Sequence, residues 1–156
     1  MLETRRLRLL PTDRTHLAAL HRIWNEPEVR RYLWDDQPVT WEQAEGVLAS
    51  ASLWTVLAKD TGEVLGCCGL RAIAGEEDIE ILYALTTPVR GQGLTTEAAS
   101  AVIQHAFTTL GLPRIIGRAN PLNPASWRVL EKLGFVFEKQ VREKGEALRC
   151  YALSKE

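Results

Sequence analysis

Two short stretches bring together residue types that could do chemistry. The first is Pro88-Val-Arg-Gly-Gln-Gly-Leu-Thr95, set between an apolar run and the start of the longest helical pattern. Gly91 and Gly93 permit torsions and close approaches that side chains forbid. Such a loop can aim several backbone N–H groups, with the positive end of the next helix, at one anion. Hydrogen bonds to a charged group contribute roughly 1.5–3 kcal/mol each, enough to anchor a pyrophosphate without a metal. Taken alone, the pattern also fits a plain turn. The dinucleotide fingerprint Gly-x-Gly-x-x-Gly fails because Thr96 stands at its last position, and no Gly-Lys-Ser/Thr follows to make a P-loop.

The second stretch is Asn120-Pro-Leu-Asn123-Pro-Ala-Ser126, followed by a helical pattern that ends at Leu133-Gly134-Phe135. Asn123 suits an N-cap, Pro124 suits N1 and Gly134 suits a C-terminal stop. Helical spacing puts Ser126 on one face with Val129, Leu130 and Leu133, and Arg128, Glu131 and Lys132 on the other. A serine on an inward face needs a polar partner. It either bonds the first helical turn or faces a reaction site.

The elements that must position these stretches follow from the apolar spacing. Leu7 and Leu9 alternate with Arg6 and Arg8 in a strand ending at Pro11. Helices are expected over 12–24, from Pro27 through Leu33, and over 41–51, the last with a capping box of Thr40 and Gln43. Runs at 53–58 and 64–70, split by Lys59-Asp-Thr-Gly-Glu63, read as a hairpin. The run 79–85 is apolar on both faces and so belongs in the middle of a sheet. A long helix starts after Gly93 and stops at Gly111, and Ile115-Ile116 marks a short strand. A helix over 124–133 and strands at 135–141 and 147–153, joined through Lys144-Gly145, complete the chain. The order predicts one domain over residues 1–156, of α/β (α+β) class. A mixed, mostly antiparallel sheet of six or seven strands should carry helices on both faces.

Composition narrows the function. A length of 156 residues, 46% hydrophobic and 25% charged, suits one soluble globular domain. A net charge of −1 gives no broad field for nucleic acid or acidic membranes. Cys67, Cys68 and Cys150 fit small buried hydrophobes better than a disulfide framework, and His16, His21 and His105 lack ligand spacing, so no metal is expected. No apolar run approaches a membrane span, and a cytoplasmic location is expected.

The loop Arg90-x-x-Gly93-x-Thr95 resembles the Arg/Gln-x-x-Gly-x-Gly/Ala signature of the GNAT superfamily of N-acetyltransferases, with Thr95 where glycine or alanine is usual. Asn120-x-x-Asn123-x-x-Ser126 and the helix ending Leu-Gly-Phe resemble the subgroup of ribosomal-protein N-terminal (alanine/serine) acetyltransferases and related small-molecule acetyltransferases. So do Glu3-Thr-Arg-Arg-Leu-Arg-Leu9, Asn25-Glu-Pro-Glu-Val-Arg-Arg-Tyr32 and Glu80-Ile-Leu-Tyr83, which extend the likeness over nearly the whole chain. The resemblance implies the GNAT fold, acetyl-CoA as co-substrate and direct attack in a ternary complex. It places Ser126 near the CoA sulfur, an asparagine (Asn120 or Asn123) on the pantetheine arm, and the backbone of 84–87 beside the pantetheine amides. The cofactor-binding set it implies is Leu85, Thr87, Val89, Arg90, Gly91, Gln92, Gly93, Leu94, Thr95, Asn120, Asn123 and Ser126. Homodimers are common in the subgroup.

Acetyl transfer needs a neutral amine, a stabilised oxyanion and a proton for the leaving thiolate. Ser126 is the candidate donor to sulfur. Glu80, the only carboxylate within the core strand, is the candidate general base and acceptor contact, with a mere strand-end charge beside Glu76, Glu77 and Asp78 as the alternative. An α-amino group of pKa ~8 is roughly a tenth neutral at pH 7, whereas a lysine near ~10.4 is well under a thousandth, so weakly basic acceptors need less help. Trp24, Tyr32 and Trp34 are candidate acceptor-side residues, unless they serve packing. The acceptor is then a protein N-terminus or a small-molecule amine. The rival reading is a non-catalytic acetyl-CoA sensor of the same fold.

Overall fold

The computed structural model describes residues 1–73, 75–143 and 145–156. Its strands are β1 (Leu2–Glu3), β2 (Leu7–Pro11), β3 (Ser52–Ala58), β4 (Val64–Ala72), β5 (Ile79–Leu85), β6 (Arg114–Ala119), β7 (Val136–Glu143) and β8 (Glu146–Ser154). Its helices are α1 (Leu17–Trp24), α2 (Pro27–Leu33), α3 (Trp41–Ser50), α4 (Leu94–Thr108) and α5 (Pro124–Lys132). The strands form one sheet in the order β1-β2-β3-β4-β5-β6-β8-β7. Every pairing is antiparallel except β5 with β6. The chain leaves β6 for the sheet edge, forms β7, and returns as β8 against β6.

Alternation along the strands sends neighbouring residues to opposite cores. Cys67 and Ala84 pack with Leu17, Leu20 and Ile23 of α1, Val29 of α2 and Ala44 of α3. Cys68, Ile81 and Leu85 pack on the other face against Ala98, Val102 and Ala106 of α4 and Leu130 of α5. Helices thus cover both faces, as expected.

Several boundaries differ from those read from sequence, each for a local reason. There are eight strands rather than six or seven, since Leu2–Glu3 pairs with Arg8–Leu9. The helix expected over 12–24 is a 3₁₀ turn, Arg14–His16, before the α-helix, because a capping box at Asp13 opens the tighter turn first. The strand marked by Ile115-Ile116 runs from Arg114 to Ala119. Lys144, in the expected last junction, lies outside the described residues. Asn123 occupies the N-cap of α5, but its side chain makes no capping bond there.

Two features shape the site. The parallel pairing of β5 with β6 consists of Ile79↔Ile115 and Glu80↔Ile116. Beyond Glu80 the strands fork: Ile81–Leu85 pairs with β4 alone, and Gly117–Ala119 with β8 alone. The fork leaves one edge of β5 with free backbone groups facing the gap. The second feature is a tie from the α1–α2 turn to the end of β5. The Glu26 carboxylate accepts from Thr86 Oγ1, from Thr87 N at 2.8 Å and from Thr87 Oγ1 at 2.8 Å. Burial pushes its pKa up, but these bonds outweigh burial and hold it below the ordinary carboxylate value.

Candidate active site

Two clefts open into the fork and share a floor. One, of about 350 Å³, runs from Leu85 along Val89–Leu94 and Thr95, with Asn123, Ser126, Val129 and Lys132 of the α5 region opposite. Gly91 and Gly93 have φ of 81° and 76°, the left-handed region that glycine enters without strain. No side chain caps α4, so its first-turn N–H groups point at this cleft without a partner from the cap residue. Three cations, Arg90, Arg128 and Lys132, line it against one carboxylate, Glu28. This donor set suits a polyphosphate.

The other cleft, of about 380 Å³, is lined by Trp24, Trp34, Asp35, Arg71, Glu80, Arg118 and Glu143, among others. Tyr32, Leu33, Tyr83, Ala84, Asn123 and Ser126 line both clefts. At this junction the Tyr83 hydroxyl donates to the Ser126 carbonyl at 2.9 Å and lies 3.2 Å from Ser126 Oγ. Burial pushes the tyrosine's pKa well above its ordinary value, outweighing the Ser126 hydrogen bond, so it stays a neutral donor. Above them Tyr32 Oη donates to the Leu122 carbonyl at 3.0 Å, bridging α2 to the turn before α5.

Most of the residues expected from sequence meet here. Leu85, Val89, Arg90, Gly91, Gly93, Leu94, Thr95, Asn123 and Ser126 line the first cleft. Trp24, Tyr32, Trp34 and Glu80 all line the second, as does Asn120. Thr87 and Gln92 line neither, and Thr87 is bound to Glu26. Asn120 Oδ1 accepts from Leu122 N at 2.9 Å, which shapes the turn ahead of α5.

Glu80 is 4% exposed and fully engaged. It accepts from Arg71 at 2.7 Å and from Arg118 at 2.6 and 3.3 Å, and Arg118 reaches Glu143 at 3.1 Å. Arg71, Glu80 and Arg118 belong to three adjacent strands, so this ladder crosses the closed base of the fork.

Three contributors were not picked out from sequence. Tyr83 was hidden by the alternation that puts it on the face opposite Glu80. Arg128 and Lys132 were assigned to the face of α5 away from Ser126, yet they border the same cleft. Leu130 faces the core, while Ala125, Ser126, Arg128, Val129 and Lys132 form a second stripe along the cleft. Their i, i+3, i+4 and i+7 spacing was the available signal. Among the described residues no cluster of three His, Cys, Asp or Glu side chains is arranged to hold a metal, and no helix is long and apolar enough to cross a membrane.

Residues 6–136 match the model of the acetyltransferase (GNAT) domain. The chain belongs to the GNAT family of acetyltransferases. It is 30% identical to the uncharacterized N-acetyltransferase p20 of Bacillus licheniformis, covering 98% of this chain and 94% of that protein. Its GNAT fold is shared with a spermidine N-acetyltransferase from Vibrio cholerae, solved in complex with CoA and spermine. That match has a TM-score of 0.81 and 18% identity, covering 97% of this chain and 96% of that one. The ribosomal-protein-S5-alanine acetyltransferase from Vibrio fischeri matches with a TM-score of 0.78 and 17% identity, covering 97% of this chain and 94% of that one. The enzyme class is N-acetyltransferase.

Proposed function

We propose that this GNAT protein transfers the acetyl group of acetyl-CoA to a primary amine by direct attack in a ternary complex. The observation that carries the reading is the meeting of two clefts at Tyr83 and Ser126, one lined for a polyphosphate and one open to an acceptor. Acetyl-CoA supplies an activated thioester. The α4 N-terminus with Arg90 would hold its pyrophosphate, and the free edge of Ile81–Leu85 its pantetheine amides. Asn123, whose side chain is not spent on capping, would contact the pantetheine arm.

Ser126 is the donor to the departing sulfur. Its hydroxyl rests beside Tyr83 Oη, whose own proton is committed to the Ser126 carbonyl. With that proton so committed, the 3.2 Å contact has Ser126 Oγ as the donor to Tyr83 Oη, and the serine hydroxyl would swing from the tyrosine toward the cleft once the cofactor's sulfur is in place. As the C–N bond forms and the C–S bond breaks, that proton would pass to the thiolate, and the proton leaving the amine nitrogen would return through water to the serine oxygen.

For Glu80 the geometry supports a positioning part better than that of general base. Both carboxylate oxygens already accept from guanidinium groups, and its ladder pins β5 to β6 where the fork begins. Deprotonation of the amine then falls to solvent, which favours acceptors of modest basicity. Tyr32 and Trp34 would form the aromatic wall for the acceptor, with Trp24 buried in the core behind Trp34.

Thiol release from acetyl-CoA, measured against N-terminal peptides, amino acids, polyamines and aminoglycosides, tests the function. Turnover with one class supports an enzyme and names its acceptor. Stabilisation by acetyl-CoA with no turnover across the panel counts against it.

A further inference from the structure

Arg6 lines neither cleft, yet its guanidinium lies against the phosphate loop. A Cβ placed on Gly93, the N-cap residue of α4, would lie 3.6 Å from Arg6 Nη2. Among the described residues no other atom beyond the adjoining ones comes within 4 Å of that point, and at Gly91 none does. A cation beside the positive end of a helix is unfavourable by itself. Here Glu97 offsets it, accepting from Arg6 Nε at 2.8 Å, from Arg6 N at 2.9 Å and from Thr4 Oγ1. The turn at Thr4 and Arg6 is held in its own right by the β3–β4 hairpin. There Lys59 N donates to the Arg6 carbonyl at 2.9 Å, and Lys59 Nζ to the Thr4 carbonyl at 2.9 Å. The first turn of α4 is thereby registered to the sheet through side chains that line neither cleft.

A glycine loop binds an anion tightly only when its torsions are already set, because glycine loses more conformational freedom on ordering than any other residue. We propose that Arg6, braced by Glu97 and Thr4, is a positioning residue for the cofactor site. It holds Gly93 and the first turn of α4 in the pose that aims their N–H groups at the pyrophosphate, without touching the pyrophosphate itself. This rests on the reading of the first cleft as the acetyl-CoA site and adds what keeps that site preformed. Arg8 carries the same charge two residues on, but its guanidinium pairs with Glu3 at 3.3 Å rather than packing on Gly93.

Calorimetric titration with CoA tests this. Arg6→Ala should raise Kd about tenfold, the scale of one hydrogen bond to a charged group. Arg8→Ala, with the same loss of charge, should change Kd less than about twofold. In the thiol-release assay, KM for acetyl-CoA should rise in Arg6→Ala by the same factor as Kd, with kcat within about twofold and KM for the acceptor unchanged. With S-acetylpantetheine as donor, which has no pyrophosphate, wild type and Arg6→Ala should have equal kcat/KM. A general loosening of the fold would instead slow both donors alike. A wild type that binds CoA and an Arg6→Ala variant of equal Kd overturn the inference alone, as does an equal rise in Arg8→Ala or an equal loss with both donors. Should Arg6→Ala not fold, Glu97→Gln carries the test. It removes the charge that holds the guanidinium and should raise Kd roughly two- to fivefold; an unchanged Kd overturns the inference. A wild type that binds no CoA overturns the reading of the cleft, and this inference with it.

Discussion

Tyr83 and Ser126 reach the site from different elements, β5 and α5, and each constrains the other. The tyrosine is half-buried and fixed by the Ser126 carbonyl, and the serine hydroxyl lies 3.2 Å from Tyr83 Oη. Loss of a general acid typically costs 10²–10⁴-fold, so Ser126→Ala should lower kcat by about 10²-fold with a much smaller change in KM for acetyl-CoA. Tyr83→Phe removes only an orienting hydrogen bond and should cost about tenfold in kcat. Single-turnover kinetics separates these losses from product release. Glu80→Gln leaves Arg71 without its carboxylate and Arg118 with Glu143 alone. It should destabilise the fold by about 3 kcal/mol in urea titrations and leave the pH–rate profile in place. Loss of the limb that rises at low pH would instead make Glu80 the base.

Elements are held in register by carboxylates at their ends. Glu26 ties the α1–α2 turn to Thr86 and Thr87, and Glu97 in the first turn of α4 accepts from Thr4, from Arg6 N at 2.9 Å and from Arg6 Nε at 2.8 Å. For each, burial pushes the pKa up, but the hydrogen bonds and neighbouring arginines outweigh it, leaving both below the ordinary value. A depressed pKa contributes stability above the unfolded value, about 4.3 for glutamate, and that stability disappears as pH falls through the folded value. Thermal melts should therefore show Tm dropping below about pH 4.3, and the pair Glu26→Gln, Glu97→Gln should flatten that drop. Packing between β6 and α5 is as tight. A Cβ added at Gly117 would lie 2.5 Å from Leu130 Cδ2, so Gly117→Ala should cost about 1–3 kcal/mol and shift Ser126 with its helix.

The whole molecule divides its charge, though its net charge is only −1. In the proposed reaction the positive cleft receives a polyanion, and such attraction is screened by salt. Raising ionic strength from about 0.01 M to about 1 M shortens the Debye length from about 30 Å to about 3 Å. KM for acetyl-CoA should rise across that range while kcat changes little, as initial rates will show. A flat KM would mean that Arg90, Arg128 and Lys132 contribute little to binding.

Local rules were enough for the phosphate loop, because glycine torsions and helix-start chemistry act over a few residues: Gly93 has the left-handed φ and α4 begins at the next residue. They were enough too for Pro124 at N1, the central place of β5, and the two helical layers. The sequence also held Ser126, Glu80 and the aromatic trio, but as separate candidates. That Ser126 meets Tyr83, and that Glu80 is locked by Arg71 and Arg118, depends on residues 9 to 43 apart in the chain, from β4, β5, β6 and α5, being brought side by side. The fork itself is a sheet property: β5 and β6 part because each finds another partner beyond Glu80. Side-chain type and spacing determined which groups this protein has for acyl transfer. Only the tertiary structure decided which face one another, since long-range pairing and burial assign partners that no local pattern encodes.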